Sequence, residues 1–537
     1  MRARVAAALL VGFMACRKGD PKDPALWMER LADGQPKTRI KAVQQLRKLH
    51  AKEAAPVVAE LLKDPLVREE AALALQDLGG PSEVQPLLEA VDTTVGAGSD
   101  QATRAANRTN ARIAQALGVI GDPAAGPALL RLARSKDENV RLDAVQALGQ
   151  VRFAEAVAEL SRIVDDESAS PLLVKKTVVA LGQIRDRAGI AALQHALVLE
   201  RQGVSFLPEA SYALFLFGEA AVEPMIRIAK DEDAKYLAWA QGANRAPAGT
   251  YAKAAIVLGD LGDARAVPVL LDKLKYKDPD PNPGTARLLT NLVRQFACNA
   301  LGRLRAQEAA APVLAQVQTR DAQEEDVVAF CSEALVWIGD RGLAKELAKR
   351  ASSGAIRLRL AAAQAAALVG GPDLHADLEA LAERQKREPV AACQKAVADL
   401  PNQDPGEKPC DSIAVQFAAL TGPLQAAKTC GTTAACWGDK LRDKDALVRA
   451  RAAYELGRLQ ASEAVPQLVH AASDADLLAR VAAIRALEWM ISVPGAQSQL
   501  KAAAPALAAQ LAAEQGRLQF VKIDEELKRL QARLARL

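Results

Sequence analysis

The stretch Val140-Arg141-Leu142-Asp143-Ala144-Val145-Gln146-Ala147-Leu148-Gly149 returns as Val448-Arg449-Ala450-Arg451-Ala452-Ala453-Tyr454-Glu455-Leu456-Gly457, and in shorter form as Val67-Arg68-Glu69-Glu70-Ala71-Ala72-Leu73-Ala74-Leu75. Weaker copies end near Leu46, Leu117, Leu181, Leu214, Leu258, Leu301, Leu335, Ala366, Val397 and Leu487. The base spacing is about 31 residues, and about thirteen copies follow one another, so the chain is an array of one small unit. Within a unit, Ala and Leu recur at helical spacing up to a Leu-Gly. A polar turn such as Gly121-Asp122 or Gly262-Asp263 then leads to a second apolar helix. Second helices open with proline at Pro56, Pro86, Pro127, Pro224, Pro268, Pro312 and Pro466, where a missing N–H is harmless. First helices carry an Asp and an Arg four apart: Asp64 and Arg68, Asp137 and Arg141, Asp445 and Arg449, Asp476 and Arg480. Each Asp is placed to cap its helix, and each Arg to pair with it and with the neighbouring unit.

Composition agrees with this reading. Half of the 537 residues are hydrophobic but only 4% are aromatic, and about a fifth are alanine, a mixture that favours close-packed helices over strands. Such a chain is too long for one globular core, which stops growing at roughly 250–300 residues, whereas stacked units share a continuous one. The expected fold is an all-α solenoid. Lys and Arg total 69 against 65 Asp and Glu, and without Arg2 and Arg4 the excess is 67 against 65. That balance gives no basic footprint for nucleic acid.

The repeated Asp-x-x-Val-Arg-x-x-Ala and Ala-Leu-Gly pattern resembles HEAT repeats, in particular the short kind named after phycobilisome lyases. The resemblance implies about thirteen two-helix units stacked in a superhelix over residues 31–400 and 441–510, with a concave face for binding. On this view the second helices present that face. Acids and bases alternate on them, at Glu219, Glu223, Arg227 and Lys230, and at Asp373, Asp377, Glu383, Arg384, Lys386 and Arg387. A surface charged in both signs suits a protein partner.

The N-terminus carries an address. Arg2 and Arg4 precede the apolar run Val5 to Met14, which is too short to span a bilayer, and Phe13-Met14-Ala15-Cys16 resembles the lipobox of bacterial lipoproteins. Residues 1–15 are then a signal peptide cleaved before Cys16, Cys16 carries a lipid anchor to the membrane, and residues 16–30 form a tether. Phe13 departs from the usual Leu three residues before the cysteine. An uncleaved cytoplasmic chain is the alternative address.

Extra residues fall around Asp92–Thr103, Lys230–Thr250, Tyr276–Ala286 and the Cys-containing insertion 401–440. Tyr236, Trp239 and Tyr251, in or beside the second of these, serve either a partner or the packing of the insertion. At the C-terminus, residues 511–537, Phe520, Ile523, Leu527, Leu530, Leu534 and Leu537 make a heptad stripe. It either caps the last repeat or joins two copies as a homodimer through 518–537.

In an exported chain the cysteines should be oxidised. Cys393, Cys410, Cys430 and Cys436 crowd around the longest insertion and read as two disulfides, with three pairings open, while Cys298 and Cys331 are either buried thiols or a disulfide between stacked helices. A zinc site would need C-x-x-C spacing or a nearby histidine, and neither is present. The histidines His50, His195, His375 and His470 are each followed by Ala. The His-Glu pairs that serve as metal ligands in di-iron hydroxylases of the HEAT-like kind do not occur. No phosphate loop or Gly-x-Ser-x-Gly is found either. The sequence therefore points to a non-catalytic, cofactor-free scaffold or adaptor lipoprotein of the bacterial cell envelope that binds other proteins. The alternatives are a cytoplasmic HEAT-repeat regulatory scaffold and a lyase or isomerase acting on bilins.

Overall fold

Ala-Leu-Gly is where the stack is made. In the computed structural model, which describes residues 20–96, 98, 100–387, 409–514 and 523–537, Gly149 and Gly302 lie inside first helices and not in the turns after them. A methyl group placed on Gly149 would stand 2.7 Å from the Cα of Ala180 in the next first helix, and one on Gly302 would stand 2.6 Å from that of Ala334. Glycine on one helix and alanine on the next thus bring the two backbones together, which lets a two-helix unit bury its neighbour's apolar stripe.

The chain is an all-α solenoid in two compact units, Met1–Phe217 and Gly218–Leu537. First helices of the first unit are α1 (Pro36–Lys48), α2 (Arg68–Leu78), α3 (Gln101–Ile120), α4 (Glu138–Gln150), α5 (Pro171–Ile184) and α6 (Leu207–Phe217). Those of the second are α7 (Pro247–Leu261), α8 (Pro283–Arg303), α9 (Glu325–Ile338), α10 (Ile356–Val369), α11 (Ala446–Arg458) and α12 (Leu477–Met490). The C-terminal helix α13 (Ile523–Leu534) follows. A 3-10 turn and a short second helix commonly separate first helices, as with Ala154–Ala156 and Val157–Asp165 after α4. Pro56, Pro127, Pro268 and Pro466 occupy the first or second position of their helices, whereas Pro224 lies inside Glu219–Ala229. The copy ending near Val397 lies outside the described residues. The strand pairing among the described residues is one hairpin, Glu200–Arg201 with Val204–Ser205.

The Asp and Arg of the repeat divide their work. Asp137 accepts the Val140 amide at 3.1 Å, Asp445 that of Leu447 at 2.9 Å, and Asp476 those of Leu478 and Ala479. The arginine reaches forward. Arg449 donates two hydrogen bonds, at 2.7 and 2.8 Å, to Asp474 in the turn before the next first helix, and Arg39 meets Asp64 at 2.5 Å in the same way. Burial alone would raise the Asp474 carboxyl, but Arg449 and the Asp476 amide hold it below the ordinary carboxylate range. Asp137→Ala leaves an uncapped amide row at the start of α4 and should cost about 1 kcal/mol in denaturant unfolding.

Packing bears on three of the expected segments, and it corrects the first. Residues 24–32 are not a free tether: Pro24–Glu29 is helical, Trp27 and Leu31 are buried, and the Trp27 indole donates to the Pro21 carbonyl at 2.8 Å. The Cys-containing insertion is helical where it is described, as Pro409–Ala418, Thr421–Cys430 and Ala434–Lys440. The heptad stripe is spent within the chain. Ile523, Leu527, Leu530 and Leu534 of α13 are buried, with α13 packed on Gln497–Glu514 and α12, so this stripe is not open to a second copy. Phe520 lies outside the described residues.

Candidate functional site

Small residues draw the first helices together, so their row is the tight side of each stack, and the cavities lie against it. In the first unit a groove of about 350 Å³ runs over α1 to α5, lined by Arg47, Gln76, Arg112, Gln115, Asp143 and Lys176 among others. Its side chains form a polar lattice. Arg112 donates to Gln115 at 3.0 Å, Gln115 to Asp143 at 2.9 Å, and Lys176 to Gln146 at 2.5 Å. Burial raises the Asp143 carboxyl despite Gln115 and the two nearby cations. This groove lies on the first helices, whereas the sequence reading places the binding face on the second ones. Some charges there pair with a neighbouring repeat, Glu219 with Arg265 at 3.3 Å and Asp373 with Lys345 at 3.2 Å, and Glu383 pairs within its helix with Lys386 at 2.5 Å.

In the second unit the same face is turned in on itself. Arg451 of α11 donates to the carbonyls of Ala367 and Gly370 at the end of α10, at 2.6 and 2.7 Å, and Arg458 donates to Val336 in the last turn of α9 at 2.6 Å. Cations on the last carbonyls of a helix complement its dipole and satisfy acceptors that the helix leaves open. Burial pushes the Arg451 guanidinium down to about 10, against the pull of Glu455. Trp337 of α9 donates to the Tyr454 hydroxyl of α11 at 3.2 Å.

Helix α13 closes this arrangement with charge. Glu526 pairs with Arg303 of α8 and, at 3.0 Å, with Arg485 of α12. Arg529 meets Asp260 of α7 at 2.9 Å, and Arg303 meets the same Asp260 at 2.9 Å. All of these side chains are buried or nearly so. Burial opposes the charge on Glu526, yet Arg303 and Arg485 hold its carboxyl far below the usual range. Between α7, α8, α9, α10, α11, α12 and α13 lies a cavity of about 460 Å³.

The family model of HEAT repeats matches residues 24–107, 99–173, 131–204 and 437–518, and that of the PBS lyase HEAT-like repeat matches residues 251–276. The chain is a HEAT-repeat protein. Among solved structures it is similar to human deoxyhypusine hydroxylase, at 21% identity over 54% of this chain and 98% of that one, with a TM-score of 0.21. It is also similar to yeast importin-β, at 13% identity over 95% of this chain and 76% of that one, with a TM-score of 0.41. No curated protein matches the sequence.

Two of the three aromatic residues singled out in the sequence are turned inward in this HEAT-repeat protein. Tyr236 and Tyr251 are buried. The Tyr236 hydroxyl lies 2.9 Å from that of Thr250, and Tyr251 donates to Asp231 at 2.5 Å beneath the Lys273 ammonium. They fasten the helix Ala234–Gly242 to α7 and are not a contact surface, while Trp239 is half-buried against Tyr236. Cys298 of α8 and Cys331 of α9 form a disulfide with Cα atoms 4.9 Å apart, and Cys430 pairs with Cys436. Cys16 and Cys393 lie outside the described residues, and the Cys410 side chain is not described. His195 lies 2.8 Å from Asp165. Among the described residues no group of three or more His, Cys, Asp or Glu is gathered as for a metal, and no helix is long and apolar enough to cross a membrane. The residues that sequence reasoning missed are Glu333, Arg485, Glu526 and Arg529. Their signal is an acid or base at a position that repeat periodicity assigns to the apolar face of a helix.

Proposed function

We propose that this HEAT-repeat protein is a non-catalytic scaffold that binds other proteins through the first-helix face of its first unit, and that a lipid on Cys16 holds it at the bacterial envelope. The binding reading rests on one observation: the α1–α5 groove is a lattice of amide, guanidinium, ammonium and carboxylate groups, the mixed donors and acceptors that polypeptide recognition uses. Charge reversal at Arg112 and Lys176 should abolish co-purification of cross-linked partners from detergent-solubilised cells and leave the helical signal of the protein unchanged. Unaltered capture by the Arg112→Glu, Lys176→Glu double variant would count against this face.

The address is supported by the run Arg2 to Cys16 and by the paired cysteines. Disulfides persist in oxidising compartments and are rare where glutathione keeps thiols reduced. Mass spectrometry of the N-terminal peptide should find an acylated Cys16, and Cys16→Ala should move the protein from the membrane to the soluble fraction. Native protein unfolded without reductant should leave Cys298, Cys331, Cys430 and Cys436 unlabelled by a thiol reagent. Full labelling of these four, with an unmodified Met1, would place the scaffold in the cytoplasm.

A further inference from the structure

The cavity of the second unit has walls of two kinds. Phe296 and Phe330 meet edge to face with ring centroids 5.6 Å apart, and Ile256, Val336, Leu368 and Val481 extend the apolar wall. At about 460 Å³ the space falls within the range of small-molecule sites, roughly 300–1,000 Å³. Nearly every charged group on the wall is already matched. Arg303 and Arg529 share Asp260, Arg485 is held by Glu488 at 2.5 Å and by Glu526, and Gln364 donates to Gln416 at 3.1 Å.

Two neighbouring residues of α9 are not matched. Glu333, half-buried, makes no hydrogen bond or ion pair among the described residues, and Ser332, 2% exposed, has a hydroxyl with no partner there. Both line the cavity. The lining holds Asp260, Glu333, Glu525 and Glu526 against Arg303, Arg485 and Arg529, which leaves one acid in excess. An anionic ligand would add to that excess, and a purely apolar one would strip water from Glu333 and give nothing back. A cation on an apolar body answers both.

We propose that this cavity binds an amphipathic amine, with its ammonium group on Glu333 and Ser332 and its apolar body against Phe296, Phe330 and Val481. This inference is independent of the scaffold reading. Burial pushes the Glu333 carboxyl up to about 7, against the pull of Arg485 and Arg303, and Glu526 raises it further. The other charged groups on the wall are Asp260 on α7 and Glu525 and Arg529 on α13, and Tyr454 of α11 also faces the cavity. Glu333 therefore ionises as pH rises through neutrality, while an alkylamine, with a pKa near that of lysine at about 10.4, stays charged.

Calorimetric titration of the full chain with 4-phenylbutylamine, 4-phenylbutanol and 4-phenylbutyrate tests the proposal. The amine should bind about tenfold more tightly than the alcohol, a difference of about 1.4 kcal/mol, and the carboxylate most weakly. Glu333→Gln should remove the advantage of the amine and leave the affinity for the alcohol as it was, which also reports that the cavity is intact. If that variant does not fold, the wild-type protein supplies the test. Its affinity for the amine should rise severalfold between about pH 6 and pH 8 while that for the alcohol stays flat. Equal affinity for amine and alcohol, an amine affinity unmoved by Glu333→Gln, or a flat pH series would each overturn the proposal.

Discussion

Gly302→Val should unfold the second unit under conditions where the wild-type protein is stable, with a loss of roughly 3 kcal/mol or more in denaturant unfolding. The reason is contact and not conformation. A methyl group on Gly302 stands 2.6 and 2.8 Å from the Cα and Cβ of Ala334 and 2.9 Å from the Trp337 ring. Two of those atoms belong to the backbone and Cβ of the next first helix, which moves only if α8 and α9 part. Cys298 of α8 is bonded to Cys331 of α9, so the disulfide resists that movement and the strain stays in the core. Gly249 is the control. It lies in the first turn of α7 with no heavy atom within 4 Å of an added methyl group, and Gly249→Ala should stabilise the protein by about 0.5–1 kcal/mol through helix propensity. A Gly302→Val protein as stable as wild type would mean that the first helices are not packed backbone to backbone.

That contrast also marks what a sequence of this kind discloses. Repeat length, helix type and the capping role of Asp137, Asp445 and Asp476 are local, and each is written within one unit. The glycine of Ala-Leu-Gly is equally plain in the sequence, but its position before a polar turn suggests a helix end. Only the neighbouring helix reveals that it is a contact. Cys298 and Cys331 stand 33 residues apart, close to one repeat, which makes them neighbours in a stack, yet whether they bond depends on how closely α8 and α9 approach. The buried charges show in the sequence only as acids and bases at apolar-face positions, and their partners do not show at all. Glu526 finds Arg303 across 223 residues because α13 returns to α8, and no periodicity encodes a return. The heptad stripe of α13 is plainly apolar in the sequence. What it packs against follows from the buried Asp260, Arg303 and Arg485, which find counter-charges in Arg529 and Glu526 of α13 in the same chain.

Glu526→Ala follows from that pairing and should be the most damaging single change in α13. The carboxylate holds two arginines from two different repeats, Arg303 and Arg485, in a setting where removing one member of a buried pair typically costs about 3–5 kcal/mol. Asp260 and Glu488 remain as partner acids, so the two cations are not wholly abandoned, and the cheaper escape is for α13 to leave. Two outcomes are then separable. If α13 stays docked, the loss appears as a lower unfolding midpoint of the second unit. If it leaves, protease cuts after Arg529 or Arg533 appear before any loss of helical signal, and the exposed Ile523, Leu527, Leu530 and Leu534 drive self-association. Acid should reproduce the same opening in the wild-type protein. Because the folded Glu526 carboxyl sits well below its ordinary value of 4.5, its contribution is complete above that value and is lost as pH falls towards the folded one. Proteolysis at Arg529 and Arg533 should therefore increase in the wild-type protein as pH falls below about 4.5, but should be already present and far less pH-dependent in Glu526→Ala. Wild-type and variant proteins with the same acid profile would show that the charge on Glu526 does not hold α13 in place.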